Sequence, residues 1–216
     1  MSRRLCGVEK TVIRRKYLAA RRALSPDEWA ARSRAVHDQL AEVDEFREAT
    51  TVLTYVSPKD NEVDTQALIE SMLTQGVCVL VPIAEKDRQL TWSRLKALSE
   101  LGPGRFGILE PLPEFVRPMD PPDDAVVLVP GIAFTRDGYR IGYGGGYFDR
   151  FLAGFRGVSI GLAFDLQTIR QGDERKKGTV PSRPPTADSV GTVSFFQPHD
   201  VPVDIVVTES ATYRRK

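Results

Sequence analysis

An α/β fold with a mainly parallel sheet is predicted by three features of the sequence. First, five short runs rich in Val, Ile and Leu recur along the chain: TVLTYV (51–56), VCVLVP (77–82), AVVLVP (125–130), VSIGLAF (158–164) and DIVVT (204–208). Second, these runs are apolar almost continuously rather than at alternate positions, so both faces of each strand should be covered. Third, segments with helical spacing precede and separate them. Together these predict a three-layer α/β/α sandwich with a mainly parallel, mixed sheet.

Residues 9–24 carry the first helix, with Val12, Ile13, Tyr17, Leu18 and Ala20 near one stripe. Arg15, Lys16, Arg21 and Arg22 should face solvent. Ser25-Pro26-Asp27-Glu28 is a helix start with four agreeing signals. Ser25 caps, Pro26 suits the first helical position, both acids favour the positive helix end, and Glu28 completes a capping box. The second helix reaches about Leu40, with Trp29, Val36 and Leu40 apolar. After the first strand, Asp64 or Thr65 caps a third helix that runs through Ser71 and Met72 and stops before Gly76. Residues 102–124 hold six of the fifteen prolines and read as an ordered surface connection. Residues 171–197 are polar and long for a loop, and are expected to be a mobile insertion. Shortening them should leave melting temperature and most activity unchanged.

Composition narrows the function classes. The 216 residues are 41% hydrophobic and 27% charged, with a net charge of +1, which excludes wholesale disorder. The length suits one domain spanning 1–216. A charge near zero gives no pull toward nucleic acid or an anionic membrane. A monomer is the expected state. Two cysteines, Cys6 and Cys78, make no disulfide framework. Cys78, within an apolar run, reads as a buried reduced thiol. No apolar stretch approaches the ~20 residues of a membrane span. The opening residues lack the apolar core of a signal peptide, so a cytoplasmic location is expected.

The most informative stretch is PGIAFTRDGYRIGYGGGYFDRFL (130–152). A buried strand ends at Pro130, a turn follows over Asp137-Gly138, and Gly142, Gly144, Gly145 and Gly146 then lead into a helix. Such glycines permit positive φ and close approach of a ligand, and successive amides at a helix start suit phosphate. Arg140 and Arg150 add charge. Equally, the cluster fits a tight turn packed on a helix. A dinucleotide fingerprint fails, because Tyr147 or Asp149 stands where its last glycine is needed. Asp165, about twenty residues on, only imitates that fold's ribose-binding acid. A nucleotide P-loop needs a Gly-Lys pair, and the chain has none.

Several stretches taken in order resemble the 5-formyltetrahydrofolate cyclo-ligase (5,10-methenyltetrahydrofolate synthetase) family. They are Lys10-x-x-x-Arg14 with YLAARRALSPDE, YVSPKDNEVDT, VPGIAF, RIGYGGGYFDRFL, GLAFDLQ and HDVPVDIVVTE. The resemblance implies a fold like that of the NagB/RpiA/CoA-transferase group and an ATP- and Mg²⁺-dependent ligase acting on a reduced folate. It implies that the formyl oxygen takes the γ-phosphate of ATP and that nitrogen 10 then closes the methenyl bridge. Phosphoryl transfer needs positioning and charge neutralisation more than a protein nucleophile, so the lack of a nucleophilic triad is no objection.

Residue by residue, the resemblance implies ATP-phosphate contacts for Lys10 and Arg14, one helical turn apart. It implies an ATP loop of Arg140, Ile141, Gly142, Tyr143, Gly144, Gly145, Gly146, Tyr147 and Phe148, with Lys10 and Arg140 catalytic. Folate contacts are implied for Val56, Glu62 and Tyr143 to Tyr147, and magnesium contacts for Asp149 and Asp200. Phe148 stands where the family usually has tyrosine, so stacking survives there but a phenol hydrogen bond does not. Without the resemblance, Lys10 and Arg14 read as a solvated basic face. Glu62 and Asp149 then read as helix-start acids, and Asp200 as a turn residue. His199 and Asp204 read as structural. Two rival functions are a nonenzymatic nucleotide- or folate-binding member of the fold and a nicotinamide-dependent oxidoreductase. Lys10, the glycine loop and Asp149 are all kept, against the first; the failed fingerprint argues against the second.

Overall fold

In a computed structural model, residues 2–57, 59–169 and 196–215 are described. The helices are α1 (Ser2–Arg22), α2 (Pro26–Ala41), α3 (Asp44–Arg47), α4 (Gln66–Thr74) and α5 (Tyr147–Leu152). Seven strands form the main sheet: β1 (Thr51–Thr54), β2 (Cys78–Ala84), β3 (Leu90–Leu95), β6 (Val126–Val129), β9 (Val158–Leu162), β10 (Ile205–Val207) and β11 (Thr212–Arg214). Two ribbons pair β4 (Leu101–Pro103) with β5 (Leu109–Pro111), and β7 (Ala133–Phe134) with β8 (Arg140–Ile141).

The main sheet runs β11-β10-β9-β6-β1-β2-β3. Its five central strands are parallel and both edge strands antiparallel, so the mixed sheet is as predicted. Successive residues of the apolar runs go to opposite faces. Val126 and Leu128 pack with Val36, Leu40, Ile69 and Met72 of α2 and α4. Val127 and Val129 pack with Leu152 of α5 and Trp92 of β3. This two-sided burial is why the runs do not alternate.

The capping box at Ser25 forms as predicted, Ser25 accepting from the Glu28 amide while the Glu28 carboxylate accepts from the Ser25 amide. Ser25→Ala should lower stability by about 1 kcal/mol, read as a shift in the urea midpoint. At α4 the cap position falls to Thr65 without a side-chain cap, and the Asp64 carboxylate takes the Gln66 amide instead.

Four sequence expectations are corrected. The first helix begins at Ser2, and its buried line is Ile13, Tyr17 and Arg21, while Val12 is 52% exposed. Arg21 therefore lies inside, because the i, i+4, i+8 line set by Ile13 and Tyr17 carries it there. Cys78 is half-buried, since it opens β2 at the sheet's end, with its Sγ 4.0 Å from Met119 Sδ. The stretch 102–124 is built rather than merely connecting, containing β5 and a bridge from Pro118 to Ser93. Its Gly102, Gly104 and Gly107 have dinucleotide-fingerprint spacing but sit on the β4–β5 ribbon with no α-helix opening there. Fourth, of the expected insertion 171–197, residues 171–195 lie outside the described residues, whereas Phe196 and Gln197 are integral. Phe196 stacks on Tyr139 at 4.8 Å, and the Gln197 amide donates to Asp200. No helix among the described residues is long and apolar enough to cross a membrane.

Candidate active site

The carboxyl ends of β1, β2 and β6 open into one cleft. After β1 the chain steps to β2 on one side, and after β6 to β9 on the other. The cleft thus sits where strand order reverses, the usual ligand position of an open α/β sheet. Tyr55 and Val56 just after β1, Pro82 and Ala84 from β2 and Pro130 after β6 border it. Its volume is about 1140 Å³, ample for two small co-substrates.

The glycine loop forms one wall between β8 and α5. Gly144 at φ +100° and Gly146 at φ +71° adopt conformations that side-chain-bearing residues resist. Arg14 Nε donates to the Gly142 carbonyl at 2.8 Å, and Arg150 Nη1 to the Gly146 carbonyl at 3.2 Å. Arginines from two elements thereby hold the loop's carbonyls. α5 has only six residues, so the charge available to an anion comes from the surrounding cations more than from the helix end.

Two ion pairs lie beside the loop. Lys10 Nζ is 2.5 Å from Asp200 Oδ2, with the side chains 18% and 12% exposed. Lys10 is neither at a helix start nor freely solvated, as the sequence reading had it; it lies well within α1 and also faces the Phe196 ring. Buried Arg140 places Nη2 2.9 Å from Asp149 Oδ1 and leaves Nε buried with no partner among the described residues. Asp149 and Asp200 both act on the Arg140 guanidinium electrostatically. These bonds engage Oδ1 of Asp149 and Oδ2 of Asp200, leaving one further oxygen on each carboxylate. Two carboxylates suit a hard cation that takes its other ligands from phosphate and water. Among the described residues no cluster of three or more His, Cys, Asp or Glu exists to hold a metal unaided.

Also lining the cleft, Glu62 is 6% exposed and faces Tyr143 and Arg21. Burial pushes its carboxyl up from 4.5 to about 7, against the pull of Arg21, Lys59 and the Tyr143 hydroxyl. With the folded value raised, the unfolded chain loses this proton first, so the group lowers stability as pH rises from about 4.5 to about 7. Glu62→Gln should therefore be more stable than wild type by on the order of 1–3 kcal/mol at about pH 8, and equal near about pH 4.5. Urea melts across that range check it; a pH-independent difference would mean Glu62 ionises normally.

Every residue for which the resemblance implies a catalytic, binding or metal role borders this one cleft. Ile141 and Val56 contribute least side chain, being 1% and 4% exposed and packed into the core. Phe148 packs among the sheet's apolar residues with the Arg140 guanidinium 5.8 Å from its ring. Asp204 is structural, accepting from the Ser159 amide and hydroxyl, whereas His199 lines the cleft. The sequence reading missed Arg21, Lys59 and Arg88, all charged residues without motif spacing; only the Ile13–Tyr17 line pointed to Arg21.

The model of the 5-formyltetrahydrofolate cyclo-ligase family matches residues 7–173, well over half the chain. The chain belongs to that family. A 5-formyltetrahydrofolate cyclo-ligase of Escherichia coli K12 is 30% identical over 158 residues, covering 70% of this chain and 85% of the relative. A mitochondrial one of Arabidopsis thaliana is 26% identical over 227 residues, covering 94% of this chain and 74% of the relative. The NMR structure of Aquifex aeolicus 5,10-methenyltetrahydrofolate synthetase superimposes with a TM-score of 0.72 at 31% identity, covering 96% of this chain and 93% of that one. The family is one of ligases, and this chain is an enzyme of that class. Asp200 lies beyond the matched stretch, so its membership of the site rests on the geometry at Lys10 and Arg140.

Proposed function

We propose that the protein converts 5-formyltetrahydrofolate to 5,10-methenyltetrahydrofolate at the expense of ATP, releasing ADP and phosphate. The observation that carries this reading is that two chemically distinct sets of side chains line one cleft. The glycine loop, ringed by Lys10, Arg14, Arg140 and Arg150, suits a triphosphate. Glu62, Tyr143 and the apolar border at Tyr55 and Val56 suit a flat heterocycle with polar nitrogens.

In this reading Lys10 and Arg140 hold the β- and γ-phosphates, and Tyr143 and Glu62 fix the pterin so that its formyl oxygen meets the γ-phosphorus. Transfer spreads charge over the phosphoryl oxygens, which the fixed cations offset without reorganising. Nitrogen 10 then attacks the activated formyl carbon and phosphate leaves. Asp149 and Asp200 would hold magnesium, which when bound supplies charge neutralisation and orientation of the phosphates. The test is incubation with 5-formyltetrahydrofolate, ATP and magnesium while following the methenyl absorbance band. ATP-dependent growth of the band is expected. Folate and ATP binding without turnover would instead make this a nonenzymatic member.

A further inference from the structure

Arg21 is fully buried, yet among the described residues none of its hydrogen-bond partners is a carboxylate. Its Nε donates to the Asp60 carbonyl at 2.7 Å and Nη1 to the Gly131 carbonyl at 2.9 Å. Nη2 donates to the Lys59 carbonyl at 3.1 Å and the Tyr143 hydroxyl at 2.5 Å. One guanidinium therefore ties α1 to the loop after β1, to the turn after β6 and to the glycine loop. Asp60 and Asn61, at φ +54° and +55°, are held in left-handed conformations beside these bonds, and Glu62 follows them directly. A buried arginine is costly, and here it is spent on fixing two active-site loops relative to each other.

We propose that Arg21 is a positioning residue for the folate: it sets Tyr143 against Glu62 and supplies the positive charge that keeps the Glu62 carboxylate available to ligand nitrogens. The proposal rests on the reading that Glu62 and Tyr143 receive the folate. The groups facing Glu62 are Arg21 from α1, Lys59 and Asp60 from its own loop, and Tyr143 from the glycine loop, with the Tyr55 hydroxyl also felt. Arg21 is the cation with the largest effect on it, so the remaining groups do not replace its charge.

The fork and the charge are separable by substitution. Arg21→Lys keeps the charge but cannot hold four acceptors, whereas Arg21→Met removes both. The experiment measures folate affinity and ATP affinity by calorimetry from about pH 6 to about pH 9, with near-UV circular dichroism to verify folding. Both variants should weaken folate roughly 10–100-fold, the loss of a charge-assisted hydrogen bond, with ATP affinity within about twofold. The pH midpoint for folate binding should stay in place in Arg21→Lys and move up in Arg21→Met, since the lost cation had held the Glu62 carboxyl down. Tyr143→Phe, which severs the link and leaves Arg21 in place, should match Arg21→Lys and serves if Arg21→Met does not fold. Wild-type folate affinity in folded Arg21→Lys and Tyr143→Phe overturns the proposal. Glu62→Gln tells the two failures apart. If it binds folate as wild type does, the folate reading of Glu62 falls and the proposal with it; if it binds weakly while the Arg21 variants do not, only the role of Arg21 falls.

Discussion

Lys10→Ala should turn over roughly 10²–10³-fold more slowly than wild type at saturating ATP and folate, the loss of one preorganised electrostatic donor. Lys10 reaches the cleft from α1 beside the glycine loop, and its charge is most useful as negative charge shifts toward the formyl oxygen. Folate affinity should change little, because Lys10 pairs with Asp200 while Glu62 and Tyr143 are held through Arg21. Lys10→Arg should recover only part of the loss, since a planar guanidinium differs in reach from an ammonium. The ion pair with Asp200 adds an effect that an exposed lysine would not have. Alanine strands a half-buried carboxylate, so stability should fall by about 1–2 kcal/mol, between the values for exposed and fully buried pairs. Adding Asp200→Asn should restore much of the stability and none of the turnover. Full turnover by the single alanine variant would return Lys10 to a purely structural partner of Asp200.

Gly144→Val should abolish nucleotide binding while the protein stays folded. At φ +100° a β-branched side chain is strained by on the order of 1–3 kcal/mol, so the loop must leave its shape. Wherever it stays, the new Cβ points at the Arg14 guanidinium, 3.7 Å away, and fills the space between the loop and that cation. The residue is exposed and touches no core side chain, so the sheet should not register the change. ATP titration calorimetry on the folded variant checks this, and an unchanged affinity would falsify the phosphate role of the loop.

The parallel strands, the capping box and the glycine loop were legible because each has a local cause: two-sided burial, a side chain reaching back three residues, and backbone that must turn left. The edge strand β3 was not. LTWSRL mixes polar Thr91, Ser93 and Arg94 with its apolar residues and buries only Trp92, Ser93 and Leu95, so it shows neither a continuous nor an alternating apolar pattern, and its partner β2 lies across a hairpin. Arg21 was missed for the opposite reason, since its partners are three carbonyls and a tyrosine hydroxyl brought in from three distant loops. The line of Ile13 and Tyr17 gave its direction, but nothing local gave its destination. Likewise Lys10 and Asp200 were each visible as single charges, and their pairing exists only in the folded chain.

That pairing spans 190 residues of sequence. On the ribosome, at about 5–20 residues per second, roughly 10–40 s separate the synthesis of Lys10 from that of Asp200. Arg21 waits similarly, since Tyr143 is 122 residues downstream. α1 thus has no finished surface to dock on until the glycine loop has been translated. A nascent or prematurely terminated chain holds the parts of the cleft apart, and the lysine meets its aspartate only once the 190 residues between them have been made.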